Sequence, residues 1–252
     1  MTLLEIVSLG LIQGLTEFLP VSSSGHLLAV RLFFNVSDVD GTVVDAFLHL
    51  GTLAAVLAYY RNIWWKLVTR NRELFLKIGV ATVPAGIAGW MLEEVVGDWL
   101  RGSQTLALAL LFTAIVLWWS DGKEEREDSI EDVSWKSAIV VGLVQTVALV
   151  PGVSRSGVTI AAGRAMGMAR RTAVTFSFLL SAPIIAGASL SALFKLMNGA
   201  EALNYALAVG LLAAFVSGYV AIYWLMKYVE RVSFRPFAYY LIILAVLVFF
   251  WA

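Results

Sequence analysis

A short segment rich in serine and glycine occurs twice in this chain, and each copy follows a Gly-Leu-x-Gln tetrapeptide at the same distance. Val-Ser-Ser-Ser-Gly at 21–25 recurs as Val-Ser-Arg-Ser-Gly at 153–157, and the tetrapeptide at 10–13 recurs at 142–145, both with an offset of 132 residues. A constant offset indicates that the chain consists of two related halves that share one local structure.

Each copy also contains an interruption of an otherwise apolar, helix-like sequence. The interruption falls at Pro20 in the first half and at Pro151 in the second, just before or within the serine-containing loop. Non-helical backbone at membrane depth is tolerated only where it is buried in protein or lines a cavity. Paired interruptions in the two halves therefore indicate a binding site.

The composition indicates an integral membrane protein. Hydrophobic residues make up 60% of the chain and charged residues 14%, whereas about a quarter of the residues are charged in typical soluble domains. The formal net charge is zero, so the charge balance does not favour a nucleic acid partner. The chain has no cysteine, which excludes disulfide bonds and thiolate chemistry.

We predict an all-α polytopic membrane protein with six transmembrane helices and two re-entrant helical hairpins. A bilayer core requires about 20 apolar residues per helix, and windows near that size occur at 43–60, 73–95, 103–120, 172–196, 203–226 and 236–252. The segments 2–34 and 136–168 are also long enough to cross, but the serine-containing loop interrupts each midway. We therefore interpret both segments as re-entrant hairpins whose tips stop near the midplane.

Basic residues predict the orientation, because cytoplasmic loops carry an excess of lysine and arginine. The predicted helices place 14 of the 18 Lys and Arg residues on one side, Arg31, Arg101 and Lys195 on the other, and Arg155 at a hairpin tip. With the larger group cytoplasmic, both termini and the first hairpin face outward from the plasma membrane. Three crossings in each half invert the second half relative to the first.

The predicted units form one integral membrane domain. They are a first repeat at 1–120, an acidic cytoplasmic linker at 121–133 and an inverted second repeat at 134–252. We interpret the acidic run in the linker as a solvated connection, because a charge run is usually a solvated face.

Gln13 and Glu17 lie one helical turn apart in the first hairpin, so their side chains share a face. An ionisable residue inside an apolar helix is costly, and it is a functional hypothesis by default. An alternative is that Glu17 only pairs with Arg155 and holds the two hairpin tips together. Both interpretations bring the two motifs into contact.

The second hairpin contains the densest polar cluster of its half, which consists of Ser154, Arg155, Ser156, Gly157 and Thr159. A guanidinium group binds phosphate oxygens bidentately, and the neighbouring hydroxyls can donate hydrogen bonds. The helix that restarts after each loop also presents free backbone N–H groups to an anion. We therefore predict an anion pocket where the two hairpin tips meet.

The first hairpin contributes hydroxyl and imidazole groups from Ser22, Ser23, Ser24 and His26. A serine hydroxyl becomes a good nucleophile only when a base takes its proton, and Glu17 or His26 could serve as that base. Helix capping is the alternative role for each serine. His49, alone inside a predicted span, we interpret as a packing or hydrogen-bonding residue.

The segments Gln13–His26 and Pro151–Thr159 closely resemble the two signature motifs of the undecaprenyl pyrophosphate phosphatase family, the bacitracin-resistance type. The resemblance extends over essentially the whole chain. It implies inverted repeats with two re-entrant regions, and a metal-dependent enzyme at the outer face of the plasma membrane. Such an enzyme removes the terminal phosphate of undecaprenyl diphosphate, which recycles the lipid carrier for cell-wall synthesis and confers bacitracin resistance.

The resemblance also implies a role for individual residues. Glu17 would be the essential acid and a metal ligand, Ser23 the nucleophile or a phosphate contact, His26 an auxiliary proton-transfer residue and Arg155 the diphosphate clamp. The same comparison assigns substrate contacts to Gln13, Ser22, Ser24, Ser154, Ser156, Gly157 and Thr159. Many family members carry a second glutamate at the position of Gln13, so a site for Mg²⁺ or Ca²⁺ would here rest on Glu17, the diphosphate and water.

Two other function classes remain open at this stage. Inverted repeats with broken helices are also the architecture of secondary transporters, so a transporter or flippase for an anion or lipid phosphate is the alternative to the phosphatase. A membrane scaffold without turnover leaves the matched polar loops unexplained. The expected partners are a polyprenyl diphosphate lipid and the bilayer, with a homodimer as one alternative for the oligomeric state and no nucleic acid.

Overall fold

The computed structural model describes residues 1–34, 41–92, 102–122, 129–198, 205–231 and 233–251, and its regular structure there is helical without any strand. The α-helices in chain order are α1 (Leu3–Phe18), α2 (Ser23–Phe34), α3 (Gly41–Tyr59), α4 (Arg61–Thr69), α5 (Arg72–Met91), α6 (Ser103–Ser120), α7 (Trp135–Gln145), α8 (Arg155–Ala165), α9 (Arg170–Asn198), α10 (Tyr205–Tyr228) and α11 (Arg235–Trp251). Two short 3₁₀ helices lie at Ile130–Asp132 and Thr146–Leu149.

Within the described residues, each window predicted to span the membrane coincides with a helix, from α3 through α5, α6, α9 and α10 to α11. Within the described residues, α5, α6, α9 and α10 are long and apolar enough to cross a bilayer, and α3 and α11 are shorter apolar helices. The prediction of an all-α membrane protein is therefore confirmed. The nine-residue helix α4 was not predicted, because it is too short and too polar to appear in a search for apolar windows.

The surface of the described residues is apolar along these helices. Leu212 and Val216 on α10 and Ile243 and Leu247 on α11 are all at least half exposed. Soluble monomers rarely expose apolar patches of this extent, whereas a bilayer solvates them. The outward-facing side chains thus agree with the helix lengths.

Both predicted breaks are present. Helix α1 ends at Phe18, and α2 begins at Ser23 after a four-residue turn. In the second half α7 ends at Gln145 and continues as a 3₁₀ turn before α8 begins at Arg155. Pro20 and Pro151 fall inside these two breaks, where their missing backbone N–H costs no helical hydrogen bond.

The helices of the two halves cross in a matched pattern. Helix α1 packs against α10 while α7 packs against α5, and α3 contacts α9 while α6 contacts α11. The repeated glycines lie at the first two crossings: a Cβ atom on Gly10 would lie 2.4 Å from the carbonyl oxygen of Gly210, and one on Gly142 would lie 2.3 Å from that of Ala81. Each hairpin therefore packs closely on the other half.

An ion-pair cluster joins the ends of three helices on the side predicted to be cytoplasmic. Asp121, directly after α6, accepts a hydrogen bond of 2.9 Å from Nε of Arg170 in the first turn of α9. Its other carboxylate oxygen accepts from the hydroxyl of Ser233, just before α11. The linker residues 123–128 between the halves, and Arg101 on the side predicted to face outward, lie outside the described residues.

Candidate active site

The tips of the two hairpins touch each other. The backbone N–H of Gly152 donates to the hydroxyl of Ser24 across 3.4 Å, and the hydroxyl of Ser156 donates to the carbonyl oxygen of Leu19 across 3.0 Å. The two motifs, separated by more than half the chain in sequence, thus form one structural unit.

The loops that form this unit use the same helix cap. The hydroxyl of Ser22 accepts a hydrogen bond of 3.1 Å from the N–H of Gly25, and Ser154 accepts one of 3.1 Å from Gly157. Ser22 has a φ of 68°, a conformation that is uncommon for residues other than glycine and is found at sites under strain. Each cap satisfies a free N–H at the start of a helix.

The residue that follows each capping serine is one of the predicted catalytic residues. Ser23 is the first residue of α2 and Arg155 is the first residue of α8, so they occupy equivalent positions in the repeat. Both side chains reach Glu17 at the end of α1. The matched loops therefore present a hydroxyl and a cation to one carboxylate.

Glu17 is the centre of this arrangement and its side chain is only 6% exposed. Its Oε1 accepts a bond of 2.6 Å from Nη2 of Arg155, and its Oε2 accepts one of 2.6 Å from the Ser23 hydroxyl. Oε2 also accepts a bond of 2.9 Å from Nε2 of Gln13. A buried carboxylate that is ion-paired and accepts several hydrogen bonds avoids the large cost of an isolated buried charge.

His49, which the sequence suggested to be a packing or hydrogen-bonding residue, also belongs to this group. Its Nε2 lies 3.6 Å from Oε2 of Glu17, and its Nδ1 is 2.6 Å from the carbonyl oxygen of Asp45. The carboxylate of Asp45 in turn accepts two bonds from Arg31, of 2.6 and 2.9 Å. The spacing of Asp45 and His49, one turn apart inside an apolar span, was the sequence signal for this site.

His26 is near the hairpin tips, but its ring nitrogens bond to groups other than Glu17 and Ser23. Its Nδ1 is 2.8 Å from the carbonyl oxygen of Ser22, and its Nε2 is 2.6 Å from the hydroxyl of Tyr240 on α11. The two rings are also stacked, with centroids 5.6 Å apart and an interplanar angle of 9°. Between the two bases considered for Ser23, Glu17 is the one within hydrogen-bond reach.

The remaining polar residues of the second tip are buried and bonded within the protein. The hydroxyl of Ser154 is 3.2 Å from that of Ser156, and the hydroxyl of Thr159 is 2.7 Å from that of Ser177. The N–H of Ser154 donates to Thr113 across 3.1 Å. These contacts hold the tip in place, and direct contacts from these residues to a substrate remain a prediction.

Oxygen donors suited to a hard cation also lie at the site. The described residues contain no cluster of three or more His, Asp or Glu side chains that could hold a metal. However, the amide oxygen of Gln13 is buried without a hydrogen-bond partner next to Glu17. Mg²⁺ is bound by one or two protein oxygens together with waters and substrate phosphates, so Gln13 and Glu17 fit such an ion.

Together these groups suit the transfer of a phosphoryl group. A hydroxyl that donates to a carboxylate is the arrangement of an activated nucleophile and its base. A guanidinium group and two helix N-termini offer hydrogen bonds to phosphate oxygens. Stabilisation of charge and positioning of the reactants are most of what phosphoryl transfer requires.

Comparison with known proteins gives matches over almost the entire chain. The family model described as bacitracin resistance protein BacA matches residues 6–247. The chain is 37% identical to undecaprenyl-diphosphatase 1 of Pseudoalteromonas translucida, over 98% of this chain and 97% of that protein. It is 41% identical to the undecaprenyl-diphosphatase of Moorella thermoacetica, over 98% and 97% of the two chains. For the undecaprenyl-diphosphatase of Desulforudis audaxviator the identity is 40%, over 97% and 95%.

Proposed function

Because the chain belongs to the bacitracin resistance protein family, we infer that it is an integral membrane undecaprenyl-diphosphatase. It hydrolyses undecaprenyl diphosphate to the monophosphate and inorganic phosphate, which recycles the lipid carrier for cell-wall synthesis and confers resistance to bacitracin. The observation that carries the site assignment is the contact between Ser23 and Glu17. The Ser23 hydroxyl donates a hydrogen bond of 2.6 Å to the Glu17 carboxylate, which also pairs with Arg155. The transporter alternative is not favoured, since the similar proteins are named as diphosphatases.

In the proposed mechanism the isoprenoid tail stays in the bilayer while the diphosphate enters between the hairpin tips. Arg155 and the N-termini of α2 and α8 stabilise negative charge on the transferring phosphoryl group. The hydroxyl of Ser23, or a water molecule in its place, attacks the terminal phosphorus in line, and Glu17 accepts the proton. The bond to the bridging oxygen breaks, and the polyprenyl monophosphate leaves.

The two routes differ in one intermediate. Attack by Ser23 forms a phosphoserine, which water then hydrolyses to free the serine and inorganic phosphate. Attack by water releases phosphate directly. His26 keeps its auxiliary proton-transfer role in this proposal, on the side of the tips where it bonds to Tyr240.

A divalent cation, Mg²⁺ or Ca²⁺, is part of the proposal. Glu17 and the unpaired amide oxygen of Gln13 would hold it, and it would neutralise charge on the diphosphate oxygens. Because Gln13 is neutral, this site has one carboxylate fewer than the two-glutamate pattern of many family members. We therefore expect weaker binding of the cation than in those relatives.

The proposed topology has six spans and two re-entrant hairpins in the plasma membrane, with the second half inverted and the active site open to the outer face. The matched crossings of α1 with α10 and of α7 with α5 support this proposal, since a two-fold relation between the halves generates both. The ion-pair cluster of Asp121 and Arg170 supports a common cytoplasmic end for α6 and α9.

The experiment that tests the function is phosphate release from a polyprenyl diphosphate by purified protein in detergent, with Mg²⁺ or Ca²⁺. We expect Ser23→Ala and Glu17→Gln to lower turnover by roughly 10²- to 10⁴-fold, the usual contribution of positioned acid–base groups. Arg155→Lys should also lose most activity but stay folded, because it keeps a cation beside Glu17; truncation to alanine would leave a buried charge unpaired at a cost of about 3–5 kcal/mol.

The matched control is Ser120→Ala, which removes a buried serine hydroxyl at the far end of α6. It should keep wild-type activity. Wild-type turnover in the Ser23 and Glu17 variants would contradict the site, whereas no release by folded wild-type protein with either cation would contradict the function. A labelled phosphoserine trapped in the wild type and absent from Ser23→Ala would identify the covalent route.

A further inference from the structure

The imidazole ring of His26 connects the first hairpin tip to α11. Its Nδ1 is 2.8 Å from the carbonyl oxygen of Ser22, and its Nε2 is 2.6 Å from the hydroxyl of Tyr240. Both ring nitrogens therefore have partners, one in the turn before α2 and the other on a helix of the second half.

The contact with Ser22 determines which nitrogen of His26 carries the hydrogen. A carbonyl oxygen can only accept a hydrogen bond, so Nδ1 is the donor. In the neutral ring the lone pair is then on Nε2, and the Tyr240 hydroxyl donates to it. Tyr240 thus stabilises the tautomer of His26 that can bond to Ser22.

The carbonyl group that His26 holds belongs to the peptide unit between Ser22 and Ser23. A peptide unit is planar, so a restraint on this oxygen also restrains the backbone nitrogen of Ser23. Ser22 has a φ of 68°, and such conformations persist only where the surroundings hold them. The bond from Nδ1 is one restraint on this turn.

The second half lacks this side-chain restraint. The backbone N–H of His26 donates to the carbonyl oxygen of Ser22 across 3.1 Å, and that of Val158 donates to Ser154 across 2.9 Å, so the backbone bond is repeated. Val158 has no ring nitrogen, and Ser154 has an ordinary φ of −75°. The imidazole is therefore found in the half that has the strained turn and the candidate nucleophile.

We propose that Tyr240 is a positioning residue for the reaction. Through His26 and the Ser22 carbonyl, its hydroxyl holds the turn that directs the Ser23 hydroxyl toward Glu17. This role rests on the proposed function, because it requires Ser23 at the reacting centre. Small displacements of a reacting group lower the rate steeply, so a hydroxyl on α11 affects turnover without touching the substrate.

The first test is steady-state kinetics of Tyr240→Phe with a polyprenyl diphosphate in detergent. Phenylalanine keeps the ring, so the variant should stay folded. We expect kcat to fall roughly three- to tenfold, the equivalent of one hydrogen bond. KM should stay within about twofold of the wild-type value, because the lost hydroxyl does not contact the diphosphate.

Tyr239→Phe is the matched control, because it removes the hydroxyl of the neighbouring exposed tyrosine on the same helix. It should keep the wild-type kcat. A higher KM with unchanged kcat in Tyr240→Phe, the result expected of a substrate contact, would overturn the proposal. So would a lower melting temperature with unchanged kcat, the result expected of a merely structural bond.

A double-mutant cycle tests whether the effect passes through His26. In a His26→Ala background, Tyr240→Phe should cause no further loss of kcat, because the group on which Tyr240 acts is already absent. Independent effects of the two substitutions would overturn the proposal.

Nitrogen-15 NMR of the histidine rings tests the contacts without relying on turnover. The chain has two histidines, so His49→Gln identifies the signals. At a pH where the ring is neutral, we expect the hydrogen of His26 on Nδ1, and an Nε2 signal that changes in Tyr240→Phe but not in Tyr239→Phe. A hydrogen on Nε2 or an unchanged signal would overturn the proposal, whereas the expected spectrum in wild-type protein that releases no phosphate would contradict the proposed function.

Discussion

At the scale of residues, the two halves of the candidate site share a backbone conformation but place different side chains at equivalent positions. Ser23 and Arg155 are equivalent positions of the two halves, and their caps Ser22 and Ser154 make the same hydrogen bond. A hydroxyl and a guanidinium group at these positions face the single carboxylate of Glu17. Two arginines would leave Glu17 without a neighbouring hydroxyl, and two serines would leave it without a neighbouring cation; the proposed function needs both.

His49 provides the prediction at this scale. Its Nδ1 bonds to the carbonyl oxygen of Asp45, which directs Nε2 toward Glu17. We expect His49→Ala to lower kcat by roughly 10- to 100-fold, the usual cost of losing a residue that orients a catalytic group. His49→Gln should recover part of the loss, because an amide can bridge the same two partners.

Phosphate release with each His49 variant measures this effect, and a melting curve in detergent shows whether the variant is folded. Thr52→Val is the control, because it removes another buried hydrogen-bonding group of α3, a hydroxyl that donates to the carbonyl oxygen of His49. Unchanged kcat in His49→Ala would return His49 to a packing role.

Some residues of this candidate site could be predicted from the sequence, and others could not. Glu17, Ser23 and Arg155 were predicted because the repeated motifs mark them and because buried ionisable groups are conspicuous in an apolar chain. His49 and Tyr240 come from α3 and α11, and only the packing of these helices on the hairpins brings them to the tips. Likewise no spacing rule could decide between Glu17 and His26 as the neighbour of Ser23.

At the scale of elements, the two glycine crossings hold the hairpins against the other half. A methyl group on Gly142 would meet the backbone of Ala81, which cannot rotate away as a flexible side chain could. We expect Gly142→Ala to destabilise the protein by about 1–3 kcal/mol through forced separation of α7 and α5. The measurement is thermal unfolding of the purified protein in detergent.

Gly79→Ala is the matched control for this prediction. Gly79 lies inside α5, and a Cβ atom there would meet nothing within 4 Å. Alanine should therefore be neutral or stabilise by up to about 1 kcal/mol, because it favours the helix more than glycine does. Equal melting temperatures of the two variants would show that the crossing is not tightly packed.

Asp121 gives a pH-dependent prediction for the cluster that joins α6, α9 and α11. Burial raises the pKa of its carboxyl, but hydrogen bonds from Ser233 and Arg170 outweigh this effect and hold the pKa below its usual value. The stabilisation is therefore present above the unfolded-state pKa of about 3.9, and it is lost as the pH falls through the lower folded-state pKa.

We expect Asp121→Asn to destabilise the protein by about 1–2 kcal/mol at pH 7, the order of a charge-assisted hydrogen bond. The difference from wild type should shrink as the pH is lowered below about 4. Thermal unfolding as a function of pH checks both points. Asp132→Asn, at an exposed site near the end of the linker segment 121–133, is the control. A constant difference between Asp121→Asn and wild type at all pH values would contradict the assignment.

At the scale of the whole molecule, composition and window length were enough to predict a helical membrane protein and the positions of the long helices in the described part of the chain. The search for apolar windows missed α4, because its nine residues include charged and polar side chains and form no long apolar run. The helix crossings between the two halves could not be predicted from apolar windows either, since they depend on contacts between segments far apart in sequence. The orientation rests on the distribution of lysine and arginine, and it can be tested directly.

The absence of cysteine makes that test free of background. Single cysteines at Gly102 and Gly122 flank α6, and both positions are exposed and open. In spheroplasts, a membrane-impermeant maleimide should label Gly102→Cys, whereas Gly122→Cys should react only after permeabilisation. Labelling of both without permeabilisation would contradict α6 as a span, and the reverse pattern would contradict the orientation.

A third cysteine locates the active site relative to the membrane. Ser24 is exposed at the tip of the first hairpin, and its hydroxyl accepts the bond from Gly152 that joins the two tips. An outward-facing site predicts that Ser24→Cys reacts in intact spheroplasts, and that a polyprenyl diphosphate slows its labelling by occupying the tips. Reaction only after permeabilisation would instead place hydrolysis at the cytoplasmic face, because Glu17, Ser23 and Arg155 meet at these same tips.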